Sequence, residues 1–487
     1  MKKINVKTQR KHAISPYLYM QFMEPLSNAD SSVDAGWDYV LDRWQPGLVN
    51  AIKELSPTMI RFGGCFASYY HWKEAVGPRE SRVPMLNQCW DGVFSNQVGT
   101  HEFMQLCREV QAEPLMCVNT ESDGRMHWAY PKEGQDRFGT AEEAAEWVAY
   151  CNDPDNALRK SHGVSAPYNL RYWQIGNETS YDKRGFNSDQ SAAVAAKFAK
   201  AMRAVDPSLK LLGWGDDLRT EDKTWAQKLC ETAGDDIDLV AYHYHYERYP
   251  KAYKDQMENN NFRKDPDNTW DLLMKMYKYM EDRIDEMRAA VAPYGKKLAM
   301  TESHFNLPGR NRNEMLSSWT MGVAYALSLN TVEHNSDIID IATSADFFGN
   351  RWQVNAIILP TPVFAHSRAY LQPVAEVMKL FRHHIGAHAL DVSGMEKPDV
   401  TASISENGKT VYLHVVNSSA HAENELKIEI DGREVKSMKV FEIAKDPTDE
   451  IMETCIDLFK PTTKTVEGSV YKMPPAAVAA IEVTLAD

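Results

Sequence analysis

The sequence contains no long uninterrupted apolar run, no Cys-x-x-Cys pair, no internal repeat and no low-complexity segment. A membrane-spanning helix needs about 18 or more consecutive apolar residues, so we expect no membrane association. The 7 cysteines are odd in number and scattered, which favours reduced thiols over a disulfide framework or a zinc site. Because no apolar stretch follows Lys2 and Lys3, no secretory signal is visible, and we expect a cytoplasmic protein.

The sequence also lacks an excess of positive charge. It has 68 acidic and 54 basic side chains, which gives a formal net charge of −14. Nucleic acids and anionic membranes repel such a chain, so we expect neither as a partner. A length of 487 residues accommodates an α/β barrel of about 250 residues together with a smaller domain.

Two apolar runs end abruptly in a glutamate. Residues 172–175 are followed by Gly176-Asn177-Glu178, and residues 297–301 are followed by Glu302. Each pattern is typical of a buried strand whose last residues leave the sheet. In parallel α/β barrels, catalytic groups lie at the carboxyl ends of strands. The two runs therefore predict a pair of carboxyl groups on one rim, which is what glycoside hydrolysis requires.

Strand and helix patterns alternate along most of the chain. We predict strands at 17–22, 58–62, 114–119, 172–175, 210–214, 237–243, 297–302 and 337–342. We predict helices at 46–55, 100–111, 140–151, 188–205, 270–292 and 313–329. Thr140, with Glu143 three residues on, predicts a capping box. Eight strands alternating with helices predict an α/β fold, a (β/α)8 TIM barrel, over residues 15–372.

The pattern changes in the last quarter of the chain. Short alternating strands are predicted at 403–405, 411–416, 426–430, 437–443 and 476–485. Asn407-Gly408 and Asp431-Gly432 are typical hairpin turns. These features predict a C-terminal antiparallel β-sandwich domain over residues 373–487, and residues 1–14 form another short strand.

Many ordered stretches give the chain a family likeness. It resembles the α-L-arabinofuranosidases of glycoside hydrolase family 51, which belong to a clan of retaining barrel enzymes with glutamates after strands four and seven. The likeness covers most of the barrel and continues more weakly into the sandwich. The stretches that carry it are Ile14 to Tyr17 with Glu24, Arg61 to Ala67, Tyr70-His71-Trp72, Gly77-Pro78, Asn96-Gln97, Glu113-Pro114, Val118-Asn119, Glu143 to Val148, Tyr150-Cys151-Asn152, Trp173 to Glu178 and Thr301-Glu302.

The resemblance implies roles for five residues. Glu178 corresponds to the acid/base and Glu302 to the nucleophile of a double displacement through a covalent glycosyl-enzyme intermediate. Asn177 corresponds to the residue that bonds the 2-hydroxyl of the sugar, and Glu24 and Cys65 to positions lining the sugar pocket. It further implies exo release of terminal α-L-arabinofuranosyl groups from oligosaccharides or glycosides, no cofactor, a homo-oligomer, and a first strand that joins the sandwich.

The chain departs from the family pattern around the expected sugar pocket. Phe62 meets Gly63 directly, where the family has an intervening proline. The family ends strand six with His and, two residues on, Tyr; here those positions hold His243 and His245, and Tyr244 between them becomes the candidate sugar contact. The late Ala-Gln motif is also changed, and either Asp346 or Gln353 fills its place.

Several predicted site residues have two interpretations. Arg61 either orients Glu302 through a charge-assisted hydrogen bond or forms an ion pair in the barrel wall. His243 either bonds a catalytic carboxyl or is an ordinary core histidine. No third ligand is identifiable beside His243 and His245, so we predict no metal site. Cys65 has no assignable His or Asn partner and is interpreted as a pocket residue rather than a nucleophile.

Tryptophans offer further sugar platforms. One or two of five tryptophans are expected to stack on sugar rings, and the others to be core residues. The five are Trp72, Trp90, Trp128, Trp214 and Trp352.

Two alternatives to the arabinofuranosidase hypothesis remain open. One is a hydrolase of the same clan with another substrate, either an endo-glucanase or xylanase or another furanosidase. The other is a carbohydrate-binding protein without catalytic activity.

Overall fold

The computed structural model describes residues 1–28, 32–120, 137–181, 186–217, 222–245, 251–304, 315–350, 355–359 and 368–485. Predicted residues Trp128, Trp352 and Gln353 lie outside these ranges. Within them, the chain forms a closed barrel and a nine-stranded sheet. No helix among the described residues is both long enough and apolar enough to cross a membrane.

Eight parallel strands close into the barrel, which confirms the predicted TIM-barrel fold. Buried side chains such as Met59, Leu212 and Ile341 fill its interior. This packed interior leaves the carboxyl ends of the strands as the place for a site. The barrel strands, one to eight in chain order, are Tyr17–Met23, Met59–Phe62, Glu113–Val118, Tyr172–Ile175, Lys210–Trp214, Leu239–His245, Lys297–His304 and Ile339–Thr343.

Helices surround the barrel and follow its strands in order. The helix Ser188–Val205 has the bounds that the sequence predicts: Asn187 and Gln190 form a capping box at its start, and it ends before Asp206-Pro207. The principal helices are Pro46–Leu55, Thr100–Val110, Ala141–Asn152, Ser188–Val205, Trp225–Ala233, Pro266–Leu273, Tyr277–Val291, Trp319–His334 and Pro373–His383. Further helices are Ser32–Gly36, Ala157–Ser161 and Lys251–Asn259.

Three details of the helix prediction are wrong. The helix expected over 270–292 is two helices, because the backbone between them makes tighter i to i+3 hydrogen bonds, such as Met276 N–H to Leu273 O at 3.1 Å. The helix expected at 313–329 is Trp319–His334. Thr140 caps its helix through the Glu143 N–H, but the Glu143 carboxylate bonds the ring of His71 instead of closing a capping box.

Nine strands form the second sheet. The N-terminal strand Lys2–Ala13 lies inside it, antiparallel to His388–Ser393 and parallel to Asn424–Ile430. The fold is therefore a mostly antiparallel sheet domain, as predicted, with one parallel pair. In spatial order the strands are Thr462–Glu467, Val435–Ala444, Ala477–Leu485, Thr410–Val416, Val400–Ile404, His388–Ser393, Lys2–Ala13, Asn424–Ile430 and Val470–Met473.

The sheet folds over its own apolar core. One buried cluster contains Ile4, Ile428 and Tyr471 from one end of the strand order and Val440 and Ile481 from the other end. The two ends therefore pack face to face, as in a sandwich.

Of the two predicted hairpin turns, one joins paired strands. Asn407-Gly408 connects Val400–Ile404 to Thr410–Val416, which pair as predicted. Asp431-Gly432 does not make a hairpin, because the strands on either side of it, Asn424–Ile430 and Val435–Ala444, lie on opposite halves of the sheet.

The helix Trp319–His334 joins the barrel to the sheet domain. Every residue from Trp319 to Glu333 is buried, so this part of the helix has no solvent-exposed face. The Trp319 indole packs on Phe459 and donates to the Ala476 carbonyl, both from the sheet domain. The helix Pro373–His383 packs in the same apolar cluster as the barrel helices. The strands of the sheet domain resume after this helix, at His388.

Candidate active site

Glu178 lies just beyond strand four in a backbone conformation that side chains rarely adopt. The strand ends at Ile175, and Gly176 turns the chain with φ +75°. Glu178 itself has φ +49°, a left-handed conformation that is uncommon for a residue with a Cβ. Such strain persists where the surrounding structure fixes it, and it is frequent at functional sites. The turn presents the carboxyl group at the barrel rim.

A β-bulge in strand seven turns Glu302 toward the same rim. Strands six and seven pair in register up to Tyr242 with Met300, but the next pair is His243 with Glu302. Thr301 is therefore an extra residue. Ala299 faces the barrel interior and Met300 the surrounding helices, so without the bulge Glu302 would share the outward face of Met300. The extra residue re-aims the glutamate inward.

These two features bring the carboxyl groups together. One oxygen of Glu178 and one of Glu302 lie within 4.8 Å of each other, and nitrogen atoms of His243 and His245 lie within the same limit. Glu178 is 5% exposed and Glu302 is 6% exposed, so both are buried but open to solvent on one side. The predicted pair is thus one chemical unit.

Arg61, on strand two, is hydrogen-bonded to the Glu302 member of this pair. Its fully buried guanidinium donates from Nη1 to Glu302 Oε1 at 2.8 Å, from Nη2 to Asn177 Oδ1 at 2.6 Å and from Nε to Gln174 Oε1 at 2.8 Å. Of the two interpretations of Arg61, the geometry favours orientation of Glu302. Burial alone would lower the pKa of Arg61, but the Glu302 carboxylate raises it, so the cation persists.

Two histidines on strand six face the carboxyl pair. His243 Nδ1 is hydrogen-bonded to Glu178 Oε1 at 2.8 Å, and its Nε2 to Thr301 Oγ1 at 3.0 Å. His245 Nε2 lies 3.8 Å from both Glu178 Oε1 and Glu302 Oε2. Its Nδ1 is hydrogen-bonded to His304 Nε2 at 3.1 Å. His243 is therefore a site residue rather than an ordinary core histidine.

The electrostatics of the site favour one shared proton near neutral pH. Burial raises the pKa of Glu302 to about 7; the Arg61 cation opposes this effect and the Glu178 carboxylate adds to it. Burial, and secondarily the Glu302 carboxylate, raise the pKa of Glu24 well above its usual range. Two carboxyl groups as close as those of Glu178 and Glu302 cannot both ionise freely, an arrangement in which one of them can stay protonated.

Glu24 and Cys65 lie beside the pair. Glu24 Oε1 accepts a hydrogen bond from Trp90 Nε1 at 2.8 Å, and Gly64 packs so closely that a Cβ there would lie 2.3 Å from the Glu24 carboxyl. The Cys65 Sγ is 4.0 Å from Glu178 Oε2. A hydrogen bond with Cys89, together with burial, raises the pKa of Cys65, which disfavours the thiolate that a nucleophile needs.

The side-chain amide of Asn177 presents a buried donor. Its oxygen is occupied by Arg61, whereas its Nδ2 has no hydrogen-bond partner among the described residues. Asn177 is 1% exposed. A buried donor left in this way is costly unless a ligand supplies the acceptor.

Two sequence predictions about the site are corrected. Tyr244 does not face the carboxyl pair: its ring is buried in the cluster between the barrel and the helices, because alternate residues of strand six point to opposite sides and His243 and His245 hold the inner positions. The sequence also showed no further candidate metal ligand beside the two histidines. In the structure, Glu178 and Glu302 come from other strands and lie next to them.

Several neighbours of the pair are absent from the sequence prediction. Gln174 accepts a hydrogen bond from Arg61, and Thr301 is hydrogen-bonded to His243. His304 lies on strand seven two residues after Glu302, the same spacing as His243 and His245, and that repeat is the signal that would have found it. Its Nδ1 lies 3.2 Å from Asp346 Oδ1; burial raises the pKa of Asp346 to about 7.

Among the predicted tryptophans, Trp90 lies next to Glu24, and Trp214 packs edge-on against His243 with ring centroids 4.6 Å apart. Trp72 stacks on Trp147 in the core instead.

Comparison with known proteins places the chain in a family. The model "Alpha-L-arabinofuranosidase 1 domain" matches residues 51–265, and the model "Alpha-L-arabinofuranosidase C-terminal domain" matches residues 300–476. A probable α-L-arabinofuranosidase C of Aspergillus fumigatus is 35% identical over 190 residues, 38% of this chain and 34% of the relative. An intracellular exo-α-(1→5)-L-arabinofuranosidase of Acetivibrio thermocellus is 31% identical over 215 residues, 42% of this chain and 39% of the relative.

The matched segments span little more than a third of the length of these curated relatives. The fold is similar over a greater length. A solved structure of a thermostable GH51 α-L-arabinofuranosidase from Thermotoga petrophila has a TM-score of 0.75 at 24% identity and covers 99% of this chain and 100% of its own. Two α-L-arabinofuranosidase domain models match successive parts of the chain, and the chain belongs to the family that they describe.

Proposed function

We propose that this chain is a retaining exo-glycoside hydrolase that releases terminal α-L-arabinofuranosyl groups. The observation that carries the proposal is the separation of the Glu178 and Glu302 carboxyl oxygens, which lie within 4.8 Å of each other. Retaining glycosidases hold their carboxyl groups about 5–5.5 Å apart, whereas inverting enzymes leave about 6.5–9.5 Å for a water molecule.

Glu302 is the nucleophile of the proposed reaction. Arg61 occupies its Oε1 at 2.8 Å, which leaves Oε2 to attack the anomeric carbon. As the bond from that carbon to the leaving oxygen breaks, the electron pair goes to the leaving oxygen, and Glu178 donates its proton there. A covalent glycosyl-enzyme intermediate forms with inversion at this step.

Glu178 then acts as the base of the second step. It removes a proton from a water molecule, whose oxygen displaces Glu302 from the anomeric carbon and restores the original configuration. The hydrogen bond between His243 Nδ1 and Glu178 Oε1 at 2.8 Å holds the group in place for both transfers. Glu178 thus ends the cycle protonated.

Residues next to the pair support binding of a small terminal sugar. The buried Nδ2 of Asn177, which has no partner in the part of the chain that the structure describes, suits a sugar 2-hydroxyl. Glu24, fixed by Trp90, can accept hydrogen bonds from further hydroxyls. Exo action and an arabinofuranosyl substrate agree with the name of the Acetivibrio thermocellus relative. That name also supports an intracellular location. The homo-oligomer implied by the family resemblance stays a prediction, which light scattering measures.

The test is a substrate panel of aryl α-L-arabinofuranoside, aryl β-D-xyloside, aryl β-D-galactofuranoside and β-glucan. We expect turnover of the arabinofuranoside, with retained configuration in the first product seen by NMR. Internal cleavage of β-glucan or xylan would favour the endo-acting alternative, turnover of the galactofuranoside alone another furanosidase, and no turnover at all a binding protein.

Two variants assign the roles within the pair. Glu302→Ala removes the nucleophile and is expected to lose activity on every substrate. Glu178→Ala is expected to keep its first step on aryl glycosides with a good leaving group, which needs no proton, and to lose it on unactivated glycosides. Equal losses of Glu178→Ala on activated and unactivated substrates would contradict the assignment.

A further inference from the structure

Four side chains at the rim converge in the manner of metal ligands. His243 Nδ1 lies 2.8 Å from Glu178 Oε1 and 3.6 Å from Glu302 Oε2. His245 Nε2 lies 3.8 Å from each of the same oxygens. A tetrahedral ion with bonds of about 2.0 Å separates its ligand atoms by about 3.3 Å. The four distances from a histidine nitrogen to a carboxylate oxygen lie within about half an ångström of that value, and all four ligand atoms lie within 4.8 Å of one another. Side-chain rotations can bring this arrangement closer to a tetrahedron.

We propose that these four groups form a binding site for a divalent transition-metal ion of the Zn²⁺ class. The donor set is two imidazole nitrogens and two carboxylate oxygens, which such ions accept. The two carboxylates balance the charge of the ion. The proposal goes beyond the glycosidase function, because it concerns the protein without sugar and needs no turnover.

The far sides of three of the four proposed ligands are already held by other groups. His243 Nε2 is 3.0 Å from Thr301 Oγ1, and His245 Nδ1 is 3.1 Å from His304 Nε2. An imidazole that binds metal through one nitrogen carries its proton on the other, and these contacts supply the acceptors for that proton. Arg61 likewise fixes Glu302 Oε1 and directs Oε2 to the ion.

This outer layer continues beyond the imidazoles. His304 Nδ1 lies 3.2 Å from Asp346 Oδ1, so close contacts run from His245 through His304 to a buried carboxyl group. Carboxylate–histidine–metal arrangements of this kind orient the ring and strengthen the ligand. His304→Gln is therefore expected to weaken metal binding although His304 touches no ion.

The ion also has an entry path. The His245 side chain is 18% exposed, whereas those of His243, Glu178 and Glu302 are 0%, 5% and 8% exposed. His245 is therefore the proposed ligand that solvent reaches most easily. Once bound, it occupies the Glu178 and Glu302 oxygens that the proposed reaction uses, so metal and glycoside exclude each other.

The experiment is calorimetric titration of the full chain with Zn²⁺, with Co²⁺ as a spectroscopic probe. We expect one ion per chain and the intense visible absorption of tetrahedral Co²⁺. His245→Gln and Glu178→Gln should each abolish that spectrum, and His304→Gln should weaken Zn²⁺ binding by about 10–100-fold. Circular dichroism and thermal unfolding establish that each variant folds, and two ligand variants keep the test valid if one does not.

Two matched controls separate this site from others. Cys65→Ser removes the thiol 4.0 Å from Glu178 Oε2, and His71→Gln removes a histidine paired with Glu143 elsewhere; both should bind Zn²⁺ as wild type does. Binding that is lost in Cys65→Ser, a thiolate charge-transfer band with Co²⁺, or binding unchanged in both ligand variants would overturn the proposal.

The outcome is also separable from that of the proposed function. A chain that cleaves the aryl arabinofuranoside but binds no Zn²⁺ overturns the metal site alone. A chain that binds Zn²⁺ through these residues but cleaves no glycoside overturns the glycosidase proposal alone. In an active enzyme, Zn²⁺ should raise the apparent KM for the aryl arabinofuranoside.

Discussion

Arg61 touches both sides of the candidate site from within the barrel wall, since it donates to Glu302, Asn177 and Gln174. Arg61→Met leaves these groups buried without their cation. We expect a loss of about 3–5 kcal/mol in the free energy of unfolding. We also expect a fall in kcat/KM of about 100-fold, because a misplacement of about 1 Å costs that much.

Arg159→Met is the matched control. Arg159 is also fully buried, but it donates to the backbone carbonyls of Tyr150 and Asp153 and touches none of the site residues. It should lose stability while the folded fraction keeps its kcat/KM. A similar loss of kcat/KM in both variants would mean that Arg61 acts through stability only.

Gly64 offers a test of the Glu24 position. It has φ +142°, and an added Cβ would lie 2.3 Å from the Glu24 carboxyl. Gly64→Ala is expected to cost about 1–3 kcal/mol of stability for the backbone alone, and to displace Glu24, which raises KM for the aryl arabinofuranoside. Gly163→Ala is the control, because Gly163 has φ +82° with open space around it.

In that comparison, urea unfolding reports the shared backbone cost and steady-state kinetics report the difference between the variants. An unchanged KM in folded Gly64→Ala would show that Glu24 takes no part in binding.

At the scale of residues, the sequence predicted Glu178 and Glu302 because strand-end glutamates are visible as a local pattern. It did not predict the bulge at Thr301, which depends on pairing between strands six and seven.

At the scale of elements, periodicity predicted the barrel strands well because each is a short apolar run bounded by polar residues. The sequence did not predict the break between the helices Pro266–Leu273 and Tyr277–Val291. Buried residues such as Leu273, Met276 and Met280 keep a helical spacing through the break. The first of these helices is held by the sheet domain, through Trp270 Nε1 to Ser418 O at 2.9 Å. A contact across such a sequence distance leaves no trace in a local pattern.

The N-terminal strand makes a prediction at the same scale. It lies between two other strands of the sheet, and Ile4 is fully buried whereas Lys3 is exposed. Ile4→Ala is expected to cost about 2–5 kcal/mol of unfolding free energy through the cavity it leaves. Lys3→Ala, on the opposite face, should change it by about 0.5 kcal/mol or less. Similar values in urea unfolding would mean that this strand adds little to the sheet domain.

For the molecule as a whole, one buried carboxylate links the barrel to the sheet domain. Glu333, on the helix Trp319–His334, is hydrogen-bonded to Tyr19 of strand one, to Thr401 Oγ1 at 2.6 Å and to His414 Nδ1 at 2.8 Å. Tyr19 belongs to the barrel, and Thr401 and His414 belong to the sheet domain. The sequence could not predict this cluster, since Tyr19 and Glu333 alone are separated by 314 positions before the fold unites them.

The ionised state of Glu333 gives a prediction about acid stability. Burial would raise its pKa, but His414 and the hydrogen bonds of Thr401 and Tyr19 outweigh burial and lower it. A carboxyl group with a lowered pKa stabilises the fold fully above the pKa of an unfolded glutamate. That contribution is lost as the pH falls through the lower pKa of the folded state.

Glu333→Gln should therefore reduce the free energy of unfolding at pH 7 by about 3–5 kcal/mol, with a smaller difference from wild type in acid. The exposed Glu434→Gln should follow wild type at every pH. Urea unfolding at a series of pH values measures both. A difference between Glu333→Gln and wild type that stays constant from neutral to acidic pH would show that the charge of Glu333 does not stabilise the junction. The two domains would then be held together by the apolar packing of Trp319 and its neighbours.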